Sequence, residues 1–220
     1  MSKGYDAFVL QLEEAYLSFP SLGRATENGK EILKGMLSVV DGNGKHWEDY
    51  AVEIHSTENF PDGFPSLFET SGKIPKIGDW HIYEDTLACC LKVKPEEIIR
   101  CKKGITVTEY IREEVMPYFF NQTHRRVEGY YINGEYGHGL LGVYEFYSDI
   151  LGTGKDYRAT VNLLQFIAMN NQPIRTSLCF CGSQNKFRNC HKKAFEKLKQ
   201  IGDENLLSDA NEFAKATGLV

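Results

Sequence analysis

The sequence predicts an α+β fold in which an N-terminal helix and an antiparallel meander sheet precede C-terminal helices and a small Cys-rich module. Three observations lead there. Asp41-Gly42-Asn43-Gly44 separates two β-prone runs, apolar residues recur at helical spacing toward both ends, and three of the six cysteines crowd into residues 179–190.

Phe8, Leu12, Ala15 and Tyr16 share one face of an expected amphipathic helix over residues 5–18. The β-prone runs, roughly 31–41 and 46–56, form a hairpin, because Asp-Gly and Asn-Gly supply residues tolerant of positive φ. A third short strand is expected at "SLFET", 66–70, in a stretch stiffened by Pro61, Pro65 and Pro75. Residues 81–95 read as extended or irregular. A helix starts at Thr106 or Thr108 and runs to Tyr130, with Pro117 expected to kink or break it. Residues 133–139, "NGEYGHG", form a glycine-punctuated loop. Helices follow at 140–151 and 157–171, and a short one closes the chain at 204–219. A composition shift near 172 divides the chain into domains 1–172 and 173–220.

Composition narrows the function classes. With 220 residues, 42% hydrophobic, the chain can bury a core. Its net charge of -5 argues against a general nucleic-acid grip, which needs a basic surface. Residues 186–199 are a local exception, with six Lys or Arg against one Glu. That run reads first as a solvated helix face. No apolar run approaches the roughly 18 residues that span a bilayer, and the N-terminus has no apolar leader core. A cytoplasmic location without membrane association is expected. Thiols stay reduced there, so the cysteines are read as ligands, nucleophiles or core residues.

In "LCFCGSQNKFRNCH", Cys179, Cys181, Cys190 and His191 supply three thiolates and one imidazole. That is a full tetrahedral set for structural Zn2+, with no position left for chemistry. Gly182 suits the tight turn after the first pair. The text resembles the SEC-C motif, a short zinc-binding module written Cys-x-Cys-Gly-Ser, eight residues between the pairs, then Cys-Cys or Cys-His. The resemblance implies a docking surface for a protein partner.

Cys89, Cys90 and Cys101 remain. Cys101 reads as a semi-buried residue with no chemical role. Neighbouring side chains on an extended segment point to opposite faces, so one thiol of the Cys89–Cys90 doublet would be buried and the other presented. A disulfide between neighbours would close a strained ring, and a zinc site with His81 lacks the usual spacing.

The order of elements and two stretches of text resemble the ubiquitin-conjugating enzyme fold over about residues 5–150. "NFPDGFPSLFET" is similar to its proline-flanked strand entry, and "HIYEDTLACCL" to its His-Pro-Asn…Cys-Leu approach. The likeness is closer to divergent bacterial members, through Ile74-Pro75-Lys76, His81-Ile82-Tyr83, Asp85 and Cys90-Leu91, and through "GEYGHG" downstream. Ile82-Tyr83 stands where Pro-Asn is usual, and Thr86 where a glycine is. Aligning on Leu91 makes Cys90 the nucleophile, the favoured choice; aligning on Asp85 makes it Cys89.

The resemblance implies transthioesterification: a cysteine accepts an activated protein C-terminus and passes it to an amine. The candidates for proton acceptor and oxyanion stabiliser are His138, His81 and Asp85. The implied partners are an activating enzyme and a ubiquitin-like protein or another protein's C-terminus, in the setting of bacterial antiphage defence. No glycine-rich phosphate loop follows a strand here, so charging falls to the partner. Two other readings stay open. One is a non-catalytic adaptor of the same fold; the other is a hydrolase of thioesters or isopeptides using Cys90 with His138.

Overall fold

The computed structural model describes residues 2–132 and 134–219. The chain divides into two compact units. One comprises residues up to Lys92 together with Arg100–Glu135; the other comprises Val93–Ile99 and the chain from Tyr136 onward.

The first unit opens with α1 (Lys3–Val9) and α2 (Leu12–Ser18). The single helix expected over 5–18 is thus interrupted at Leu10 and Gln11. A four-stranded antiparallel meander follows: β1 (Leu22–Glu27), β2 (Lys30–Val40), β3 (His46–His55) and β4 (Ser66–Glu69), in that spatial order. The expected hairpin is β2–β3, and "SLFET" supplies the fourth strand rather than the third. β1 was not predicted. Only Leu22 of its six residues is buried, so it carries no alternation to read, and it turns into β2 through Asn28-Gly29, both at positive φ. Asp41 fixes the β2–β3 turn by accepting the Asn43 and Lys45 N–H groups at 2.8 and 3.0 Å. Tyr50, Val52 and Ile54 alternate inward along β3, as a half-buried strand requires.

α3 (Lys94–Cys101) begins at the last two residues of the stretch expected to be irregular and runs beyond it, and Cys101, expected to be semi-buried, is fully buried. The predicted long helix is built in three parts. α4 (Val107–Tyr110) begins with a capping box between Thr106 and Glu109, Ile111–Val115 form a π-helical turn, and α5 (Met116–Glu128) carries Pro117 in its first turn. Proline has no N–H to donate back, and the widened turn just before it absorbs that loss. α5 packs on the sheet, with Phe119 stacked on Tyr50 at 4.4 Å and the Tyr50 and Thr123 hydroxyls 2.9 Å apart.

The second unit contains α6 (Gly139–Leu151), α7 (Tyr157–Met169), α8 (Lys192–Leu198) and α9 (Asp203–Ala216). Its core joins Tyr147, Leu164 and Ile167 to Phe187, Phe195, Leu206 and Phe213. The Cys-rich segment therefore shares one apolar core with α6 and α7. The division expected near 172 does not coincide with the compact units, because the composition shift marks a change of surface chemistry and not a break in burial. No described helix is long and apolar enough to cross a membrane.

Candidate functional site

Residues 82–89 form a tight excursion beside β4. Tyr83 N–H donates to the Ala88 carbonyl at 2.9 Å, and Leu87 N–H returns to the Tyr83 carbonyl at 2.7 Å. Cys89 N–H donates to the Leu67 carbonyl of β4 at 2.8 Å, and Cys90 N–H donates to the His81 carbonyl at 2.7 Å. Opposed backbone bonds send the two side chains apart, as expected from the extended text. Cys89 is 6% exposed and belongs to the core; Cys90 is half-buried, with Sγ 3.8 Å from the Lys92 carbonyl oxygen. Burial pushes the Cys89 thiol up to about 12, against the opposing influence of the Tyr118 hydroxyl beside it. Few Cys89 thiolates exist at neutral pH.

One face of α5 holds the segment leading into the doublet. Tyr118, Gln122 and Arg125 follow one another at i, i+4 and i+7, and so share a stripe. The Tyr118 hydroxyl donates to the His81 carbonyl at 3.2 Å, Gln122 Nε2 donates to the Trp80 carbonyl at 3.0 Å, and Arg125 donates to the Asp79 carbonyl. Three successive carbonyls thus accept from three successive turns of helix. Gln122 is 1% exposed and also accepts from the Tyr131 hydroxyl at 3.4 Å. The Arg125 guanidinium lies over the Trp80 ring at 4.2 Å and the Tyr131 ring at 4.8 Å, and pairs with the Asp79 carboxylate.

The predicted acid–base candidates stand on different elements. His81 adopts a left-handed backbone, φ 53°, at the junction that Tyr118 and Cys90 both bond. Its Nε2 lies 2.6 Å from Glu135, and its ring meets Tyr131 edge-on. Asp85 is exposed at the tip of the excursion, its carboxylate accepting the Thr86 N–H at 2.8 Å. His138 belongs to the second unit, exposed at the N-cap of α6. The structure joins Cys89, Cys90 and His81 in one hydrogen-bonded neighbourhood.

Cys179, Cys181, Cys190 and His191 converge in the second unit, with one ligand atom from each lying within 4.8 Å of all the others. This group could hold a metal ion. Cys181 and Cys190 sulfurs are 3.6 Å apart, and His191 Nδ1 lies 3.4 Å from Cys179 and 3.1 Å from Cys190. A short turn shapes the first pair: Cys179 N–H donates to the Asn185 carbonyl, and Gly182 at φ 80° bonds back to the Cys179 carbonyl. His191 Nε2 donates to the Leu151 carbonyl at 2.9 Å, which leaves Nδ1 as the lone-pair nitrogen facing the sulfurs. Burial opposes ionisation of Cys181, yet the Ser183 hydroxyl and N–H prevail and lower it to about 6. Burial and the neighbouring thiols push Cys190 to about 11, a crowding that a bound cation relieves.

No protein family, curated protein or solved structure matches this chain. The residues missed in the sequence are Tyr118, Gln122, Arg125 and Glu135. A polar stripe at 118, 122 and 125 within a sheet-packed helix was a visible signal for three of them. Glu135 stands inside "GEYGHG", but only the tertiary fold pairs it with His81.

Proposed function

We propose that the first unit is a ubiquitin-conjugating-like thioester carrier whose nucleophile is Cys90. The observation that carries this reading is the division of the doublet: Cys89 is spent on the core, while Cys90 is partly accessible. The succession of helices, meander sheet, excursion and long helix supports it, as does Leu91 directly after the thiol. Cys90 Sγ attacks the carbonyl carbon of a protein C-terminus held as a thioester on an activating enzyme. The new S–C bond forms as the old one breaks, and the departing thiolate takes up the Cys90 proton. An acceptor amine then attacks the same carbon, Cys90 leaves as thiolate, and the amine proton passes to a base. His81, whose Nε2 lies 2.6 Å from Glu135 and whose carbonyl accepts the Cys90 N–H, is the base proposed from within the first unit.

Incubation with the cognate activating enzyme and carrier tests this. The expected product is a covalent adduct that thiol reductants remove, lost in Cys90→Ala and kept in Cys89→Ala. Absence of any adduct in the cognate system overturns the carrier reading and leaves the adaptor reading.

The metal proposed for the second unit is structural zinc. Ligand bonds of about 2.3 Å to sulfur and about 2.0 Å to nitrogen give tetrahedral edges of roughly 3.8 Å between sulfurs and roughly 3.5 Å between sulfur and nitrogen. The observed separations of 3.6, 3.4 and 3.1 Å sit close to those edges. Cys179, Cys181, Cys190 and His191 Nδ1 would hold the ion, which cross-links the turn to the start of α8. Elemental analysis of the purified chain is expected to give about one zinc per molecule; a folded chain free of metal overturns the assignment.

A further inference from the structure

We propose that Tyr118, Gln122 and Arg125 are positioning residues that select Cys90 over Cys89 as the presented thiol. The doublet poses a physical problem: two identical nucleophiles are adjacent, and a one-residue slip of the segment would exchange their faces. The exchange is opposed at the segment's base. Tyr118, Gln122 and Arg125 bond the carbonyls of His81, Trp80 and Asp79 in turn, so a slip breaks all three bonds together. The His81 carbonyl receives both the Tyr118 hydroxyl, at 3.2 Å, and the Cys90 N–H, at 2.7 Å. The helix therefore fixes the acceptor that orients Cys90. Tyr118 also lies beside the Cys89 thiol, so the same hydroxyl holds one cysteine in and the other's backbone in register. Gln122 cannot slip to a neighbouring carbonyl without losing the Tyr131 hydroxyl from its other end. Tyr118 and Gln122 are buried, and buried polar groups are costly to leave without their partners.

This inference deepens the thioester reading by explaining how one thiol is chosen, but its test needs no activating enzyme. The full chain is alkylated with iodoacetamide under native conditions, and modification at Cys89 and Cys90 is followed separately by peptide mass. In the wild type, Cys90 reacts and Cys89 is strongly protected. In the Tyr118→Phe, Gln122→Ala double variant, the ratio of Cys90 to Cys89 rates is expected to fall about tenfold, the weight of one or two modest hydrogen bonds. Sub-denaturing urea separates a positioning role from a general loss of stability. Local release exposes Cys89 with little dependence on urea, whereas labelling through global unfolding rises steeply with it. An unchanged ratio, or Cys89 labelling that follows global unfolding, overturns the proposal. Should the double variant not fold, Tyr118→Phe alone removes one oxygen atom and is read in the same way, with a smaller fall of about threefold expected. A tenfold fall with no thioester adduct would overturn the carrier reading and leave the positioning intact; an adduct with an unchanged ratio would do the reverse.

Discussion

Glu48 sits between Lys73 Nζ, 2.6 Å away, and Arg126 Nη1, 2.8 Å away, on the strand that carries Tyr50. The hydrogen bond from Lys73, aided by Arg126, lowers its carboxyl to about 2 in spite of the opposing cost of burial. A carboxyl lowered on folding stabilises the folded chain fully above its ordinary value of 4.5 and loses that contribution as pH falls toward 2. Glu48→Gln is therefore expected to flatten the acid limb of stability between about pH 4.5 and 2, as read by urea unfolding across that range. The thiols show what can be seen at this scale. That the two members of a doublet face opposite ways follows from strand geometry alone. Which one faces inward depends on the Leu67 and His81 carbonyls, and neither partner adjoins the doublet in sequence.

Among the elements, the β2–β3 hairpin was legible because Asp41 and its glycines act locally, through bonds two and four residues long. β1 was not, since its pairing with β2 is carried by backbone and a single buried leucine. The apolar side of α8 was hidden by its lysines, which read as a solvated helix face until Ala194, Phe195 and Leu198 are seen buried beneath them. The π-helical turn before Pro117 shows a proline break made without ending the helix. The β1–β2 contact rests on Gly35, where a Cβ would lie 2.1 Å from the Ser21 carbonyl oxygen and 2.9 Å from the Leu22 Cα. Both are backbone atoms and cannot swing aside. Gly35→Ala is expected to cost about 1–3 kcal/mol or more, measured by thermal or urea unfolding, with loss of amide protection concentrated at β1.

For the whole molecule, the decisive fact is that the four-ligand cluster is not an appendage. Phe187, between the two ligand pairs, is fully buried in the same core as Leu164 of α7 and Phe213 of α9. His191 is tied to the last residue of α6. Removal of the zinc proposed for this cluster by a strong chelator is expected to lower the melting temperature of the second unit on the order of 10 °C or more, because a structural zinc contributes several kcal/mol to folding. Amide exchange resolved along the chain checks this: protection should fall across α6 and α7 as well as the Cys-rich turn, while β2 and β3 keep theirs. The candidate ligand set itself was plain from three cysteines and a histidine at fixed spacing. Its integration with α6 and α7 was not, because the segment's surface is basic and its burial rests on a few aromatic rings far apart in sequence.

The division of the chain has a further consequence for how the protein is made and dissected. Residues 93–99 belong with the chain beyond 136, yet emerge from the ribosome ahead of the last part of the first unit. They must wait, unpartnered, until that unit is complete and the rest of their own has been synthesised. For the same reason no single proteolytic cut can release both units whole: a cut after Glu135 strips residues 93–99 from the second unit, and a cut before Val93 strips Arg100–Glu135 from the first.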